Sequence, residues 1–310
     1  MRLLLFVMWL LHFLPLPVLG RLGDLVGRMI YRISAKRRHI TLTNLSLCLP
    51  QLSDSERERI ARRHFQAYAR SVLERSLLWW ASQKRLQKLI VFDPPLPLAQ
   101  LKAHPTIILC PHFVCLDVAG AAISMHINGS SIYTSQRSQV FDRALRRGRT
   151  RFQPLTLVSR EQGVKPIIRA LRQGLPFFML PDMDFGRRES EFVPFFGIPA
   201  ATLTAPARIA GVTGAQVMPV IATFLPKYRG WRVRFYPPWE DYPGPDILAA
   251  TERMNHFIEE RVLEAPEQYF WAHKRFKTRP EGEPDLYGLA GAGDTETGDE
   301  ASEDDRAAPV

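Results

Sequence analysis

The residues best placed to do chemistry in this chain are a histidine and an aspartate five positions apart, just past a short apolar run. Thr106-Ile107-Ile108-Leu109-Cys110 leads into Pro111-His112-Phe113-Val114-Cys115-Leu116-Asp117. An imidazole is a proton acceptor near neutral pH, and a carboxylate on one of its nitrogens fixes the tautomer and leaves the other nitrogen free as a base. On one continuous helix, residues five apart point about 140° away from each other. His112 is therefore expected in a turn and Asp117 on the first turn of a helix over 114–124, from where the two side chains converge. The same pair also fits a polar turn beside an unrelated acidic residue that suits a helix dipole. An isolated H-x4-D does not separate these readings; the rest of the chain does.

A second apolar run, Leu175–Leu180, also ends in proline followed by carboxylates: Pro181-Asp182-Met183-Asp184-Phe185-Gly186. Two buried strands, each delivering an imidazole or a carboxylate past its C-terminal end, is the open α/β pattern, with the site at that edge of the sheet. Between them, 141–151 carries Arg143, Arg146, Arg147, Arg149 and Arg151. Such a segment is either a solvated helix face or a phosphate clamp, since guanidinium binds phosphate in a bidentate fashion. Cys110-x-His112-x-x-Cys115 lacks a second Cys/His cluster to complete a tetrahedral site, so no metal is assigned.

The elements that must hold these residues follow from periodicity. The expected fold class is α/β: a single domain with a mixed, largely parallel central sheet flanked by helices, plus an N-terminal membrane-anchoring helix. Leu3–Leu19 is apolar except for His12. Its seventeen residues span about 25 Å against a hydrocarbon core of ~30 Å. It reads as an anchor (1–20) that either spans the bilayer or lies in its interface. No A-x-A-like cleavage site follows, and the basic residues from Arg21 to Arg38 favour a cytoplasmic body. Ser53-Asp54-Ser55-Glu56 is a capping box opening a helix with Phe65, Tyr68, Val72 and Trp79 on one face. The Trp79-Trp80 pair at its end fits core packing or a membrane interface. Further strands are expected at 131–135, 215–224 and 231–236, the last two as a hairpin, and helices at 165–173, 202–210 and 251–264. Phe192–Pro199 reads as an aromatic loop, either core filler or the wall of an acyl-chain groove.

The 310 residues carry a net charge of +10. The last 23, from Gly288, hold seven Asp/Glu and one Arg, a net of −6 that leaves +16 on the rest. The acidic, aromatic-free tail (288–310) is expected to be disordered, and the basic body (21–287) to attract acidic partners. Three cysteines, two inside apolar runs, do not make a disulfide framework. A nucleic-acid partner is set aside, because no recognisable RNA-binding motif with regularly placed aromatics is present.

Five blocks in order resemble the late (secondary) acyltransferases of lipid A biosynthesis, a branch of the lysophospholipid acyltransferase superfamily. They are Pro111-His112-Phe113 with Asp117, Arg147-Gly148-Arg149, Pro181–Gly186, Phe192–Thr202 and Pro266–Pro280, the last followed by Glu281–Tyr287. The resemblance runs from the N-terminus to about Tyr287. One departure is small: many bacterial members carry Glu where Asp117 stands. The resemblance implies a cell inner membrane enzyme of Gram-negative bacteria, with its catalytic domain on the cytoplasmic face. It would move a fatty acyl group from acyl carrier protein to the hydroxyl of a 3-hydroxyacyl chain on a lipid A precursor, without a cofactor. It implies His112 and Asp117 as the catalytic dyad, with Arg149 and Asp182 also required. A lysophospholipid, aminolipid or other glycolipid acceptor is the alternative within the superfamily.

The chemistry expected of those residues is direct transfer. His112 takes the hydroxyl proton as the oxygen attacks the thioester and returns it to the thiolate, while Asp117 orients the imidazole. Arg149 holds an anionic group of donor or acceptor, and Asp182 supports that arginine or its own turn. No acyl-cysteine is needed.

Overall fold

Side chains alternate across a strand, and the apolar run before His112 obeys that rule in the computed structural model, which describes residues 1–288. Ile108 and Cys110 pack into one hydrophobic layer, Ile107 and Leu109 into another. A strand covered on both faces requires such an unbroken apolar sequence.

The chain runs α1 (Arg2–Leu11), α2 (Leu16–Ile33), α3 (Ala35–Cys48), α4 (Asp54–Trp80), α5 (Gln83–Leu89), β1 (Ile90–Phe92), α6 (Leu98–Ala103), β2 (Thr106–Leu109) and α7 (Leu116–Ser124). It continues through β3 (Gly129–Tyr133), α8 (Gln139–Arg149), β4 (Leu155–Ser159), α9 (Lys165–Arg172), β5 (Phe177–Met179), β6 (Ser190–Phe195) and β7 (Ile198–Leu203). The last elements are α10 (Ala205–Thr213), β8 (Gln216–Phe224), β9 (Trp231–Phe235) and α11 (Ile247–Glu264). The central sheet has seven strands in the order β1-β9-β8-β2-β5-β3-β4. Only the β8–β9 contact is antiparallel. This is a single α/β domain with a mixed, mostly parallel sheet between helices.

The N-terminal apolar run is two helices rather than one, and the spanning form of the expected anchor is not supported. The apolar run breaks at 12–15, before Pro15, and residue 20 lies inside α2 rather than at a boundary. Among the described residues no helix is long and apolar enough to cross a membrane. α2 instead lies on α4, and glycines allow the approach. A Cβ at Gly27 would lie 2.4 Å from Gln66 Cα, and one at Gly23 2.6 Å from Arg70 Cα. The capping box at Ser53 forms as expected, with Ser53 N donating to Glu56 Oε2 at 2.9 Å.

The aromatic stretch after Ser190 is a β6–β7 hairpin rather than a loop. Phe195 is core filler against Tyr269 and Phe276. Thr202 sits within β7, where its hydroxyl accepts from Arg275 Nη2 at 2.7 Å; Thr204 stands at the N-cap of α10. The acidic tail beyond Gly288 lies outside the described residues.

Candidate active site

β2 and β5 are parallel neighbours, with Leu109 paired to Met179. His112 and Asp182 each follow three residues later, so the register alone brings them to one height past the sheet edge. There Nδ1 of His112 lies 2.7 Å from Asp182 Oδ1. The His112 backbone N–H donates to both carboxylate oxygens, at 2.9 and 3.1 Å. Burial alone would raise the Asp182 carboxyl, but the charge of His112 and these hydrogen bonds hold it below its ordinary value. An ionised carboxylate can only accept, which assigns the hydrogen to Nδ1 and the lone pair of the neutral ring to Nε2. Nε2 is buried and has no hydrogen-bond partner among the described residues.

Asp117 stands on the first turn of α7, as expected, but makes no hydrogen bond to His112. Its oxygens are taken by two arginines: Oδ2 by Arg75 Nη2 of α4 at 2.6 Å, and Oδ1 by Arg149 Nη2 of α8 at 3.3 Å. Burial opposes its charge, yet Arg75 and Arg149 together keep the carboxyl below its ordinary range. Burial likewise lowers the Arg149 guanidinium, against the pull of Asp117. The expected partners are thus exchanged: Asp182 holds the imidazole, and Arg149 rests on Asp117. The reason is topological. Strand register fixes the His112–Asp182 pair, whereas α7 delivers Asp117 to α4 and α8.

Arg75 is the residue that sequence reasoning passed over. Tyr68, Val72 and Trp79 were placed on one face of α4, and position 75 completes their i, i+4, i+7, i+11 series. An arginine in phase with an apolar stripe was the available signal. Gly148 is the other local device. A Cβ there would lie 2.4 Å from Trp79 Cδ1, so only glycine lets α8 come close enough to present Arg149.

The Pro266–Pro280 block closes the site from the other side. Phe270 N donates to His112 O at 2.9 Å, Val114 N donates to Gln268 O at 2.8 Å, and Phe113 bridges to Tyr269. Further along, His273 Nε2 accepts from Asp184 N at 3.0 Å. Burial, with the nearby charges of His112 and Arg275, drops the His273 ring to about 3. Asp184 also accepts from Thr278 N and Oγ1, at 2.7 and 2.8 Å, and so pins the block.

Two concavities meet here. An apolar groove of about 830 Å³, mouth included, is walled by Trp79, Leu116, Ile123, Ile127 and Phe178, with Asp117 and Arg149 on its rim. A smaller cleft of about 280 Å³ is lined by Tyr68, Ser71, Arg75, His112, Val114 and Phe270. Leu116 borders both. The β6–β7 hairpin does not contribute to the groove; α7 and β3 do. Trp79 is buried at that wall.

A sequence model described as bacterial lipid A biosynthesis acyltransferase matches residues 1–278. The chain belongs to this family. It is 32% identical over 284 residues to a lipid A biosynthesis palmitoleoyltransferase of Escherichia coli K12, covering 91% of this chain and 92% of that one. To a lauroyltransferase of the same strain it is 31% identical over 284 residues, with the same coverage. To a lipid A biosynthesis myristoyltransferase it is 33% identical over 276 residues, covering 87% of this chain and 83% of that one. Membership makes the protein an acyltransferase of lipid A biosynthesis, acting on an acyl donor and a lipid A-type acceptor. In this lipid A acyltransferase an apolar groove thus lies beside a buried imidazole.

Proposed function

We propose that this protein moves a fatty acyl group from an acyl carrier protein thioester to the hydroxyl of a 3-hydroxyacyl chain on a lipid A precursor, at the cytoplasmic face of the inner membrane. The observation that carries this reading is the juxtaposition of the apolar groove with the unpaired His112 Nε2 across Leu116. The donor chain lies in the groove with its thioester at the Leu116 rim, and the acceptor hydroxyl enters beside His112.

His112 takes the hydroxyl proton on Nε2 as the oxygen attacks, and later gives it to the departing thiolate. Asp182 holds Nδ1–H and stabilises the imidazolium that forms. Asp117 fixes Arg75 and Arg149 at the rim, and the remaining N–H groups of Arg149 hold an anionic group of donor or acceptor. Alignment of two lipids in one cleft supplies much of the acceleration.

An acidic carrier suits the exposed Arg143, Arg146 and Arg147 on the outer side of α8. Membrane attachment is in-plane rather than spanning. α1 exposes Leu3, Leu4, Phe6 and Trp9, the turn after it exposes Phe13, and α2 exposes Leu22, Leu25, Met29 and Ile33. Arg21, Arg28 and Arg32 beside that apolar surface match anionic headgroups.

The test is an in vitro assay with purified protein, lipid A precursor and acyl carrier protein thioesters. Mass spectrometry should show one added acyl ester on a 3-hydroxyacyl chain. Transfer to lysophospholipid but not to the lipid A precursor would replace the acceptor.

A further inference from the structure

We propose that Arg75 is a catalytic residue of the acyl transfer, its guanidinium donating to the thioester carbonyl oxygen as that oxygen takes up negative charge. The proposal deepens the function above and rests on its reading of His112 as the base.

Arg75 and His112 line the same cleft. The Arg75 side chain is 7% exposed, and its Nη2 is held by Asp117. Its Nε, like His112 Nε2, is buried without a hydrogen-bond partner among the described residues. A lone pair and a cationic N–H thus sit unspent around one small cleft. These are the two functions that addition of an alcohol to a thioester needs, a proton acceptor and an oxyanion donor.

Charge balance points the same way. Arg75 and Arg149 share the single carboxylate of Asp117, so this cluster carries one net positive charge, the ionised Asp182 being spent on His112. Glu74, the next residue on α4, does not neutralise it. That carboxylate faces Arg70 at 3.2 Å and the Trp231 indole at 3.0 Å. A buried, unbalanced cation is costly at rest and is stabilised when an anion forms beside it. Backbone donors around the cleft are already committed: those of Phe113, Val114, Leu116 and Phe270 to carbonyls, and that of His112 to Asp182. Ser71 Oγ is spent on Tyr68 O, and of the side chains lining the cleft Arg75 carries the permanent positive charge.

In the step itself, the acceptor oxygen bonds to the carbonyl carbon while its proton passes to His112 Nε2. The carbonyl π pair moves onto oxygen and is held by Arg75. Its return breaks the carbon–sulfur bond, and the thiolate takes the proton from His112, giving ester and free thiol.

The test uses the full chain carrying Arg75→Gln or Arg75→Lys, with thermal unfolding to establish folding. Arg75→Gln should lower kcat by about 10²–10³-fold with the donor KM within a few-fold, and Arg75→Lys should restore part of the loss. Affinity for an acyl phosphonate, a tetrahedral anionic mimic, should fall in step with kcat, while affinity for an unreactive thioether analogue of the donor holds. Equal loss of both affinities, or unchanged kcat, would overturn the proposal. If Arg75→Gln does not fold, Arg75→Lys, which keeps the charge beside Asp117, carries the same comparison. His112→Ala separates the two readings: retained turnover there removes the base, whereas its loss with intact Arg75→Gln turnover removes only the oxyanion donor.

Discussion

Nδ1 of His112 is held by Asp182, 70 residues away in sequence, and not by Asp117, five residues away. The distant residue wins because parallel strands in register place it, whereas the near one is carried off by a helix to meet Arg75 and Arg149. The two carboxylates consequently have separable tasks.

Asp182→Asn should cut kcat by about 10²–10⁴-fold, since a neutral amide can leave the imidazole in the wrong tautomer and does not stabilise its charged form. Asp117→Asn, which loosens both arginines at the groove rim, should raise KM as well as lower kcat. Steady-state kinetics on the two variants checks this. Near-normal turnover in Asp182→Asn would return the orienting role to Asp117.

Gly120 lines the apolar groove from the middle of α7, and a Cβ there would meet nothing within 4 Å. Gly120→Leu should therefore fold, aided by the better helix propensity, and shorten the space for the chain. Competition among donors of different length should show preference moving toward shorter acyl groups. An unaltered length profile would mean that the chain lies elsewhere.

Much of this arrangement is readable from residue types. Pro-His and Pro-Asp at the ends of two apolar runs mark the sheet edge, and the short gap between the runs at 215–224 and 231–236 marks the β8–β9 hairpin. Pairing was the harder inference. An interval of five residues invites a local partner, but contacts across parallel strands depend on a register that no short motif encodes. Arg75 was hidden for another reason: apolar periodicity is read by skipping charges, so a charge in phase with the stripe drops out. The β6–β7 hairpin was masked by Pro194 and Pro199, which face each other in a two-stranded ribbon whose strands each have a free edge. α2 was obscured because Leu3–Leu19 reads as one anchor running through Pro15, which stands instead at the N-cap of a second helix.

Leu22, Leu25, Met29 and Ile33 form an exposed stripe at helical spacing on α2. Changing all four to Gln should strongly reduce cosedimentation with vesicles containing anionic lipid, and the residual binding should be salt-sensitive because the arginines remain. Turnover of a short, water-soluble acceptor should be unchanged. Full retention on vesicles would place the membrane contact on another surface.

Stability should depend on pH through three buried groups with opposing signs. Burial drops the His64 ring to about 4 and the His273 ring to about 3, from an ordinary value of 6.5. Each stays neutral in the fold while the unfolded chain binds a proton, so its contribution is complete above pH 6.5 and is lost as pH falls toward those values. Glu74 acts the other way. Burial raises its carboxyl from 4.5 to about 7, against the pull of Arg70 and the Trp231 indole. Its favourable share is present below pH 4.5 and is lost as pH rises through 7, a change on the order of 3 kcal/mol. Between pH 4.5 and 6.5, Glu74 therefore offsets about one of the two histidines. Glu74→Gln should steepen the rise of unfolding free energy with pH in that window, as measured by urea denaturation at half-unit steps. Wild-type and variant curves that run parallel from pH 4.5 to 7 would show that Glu74 ionises in the fold at its ordinary pH.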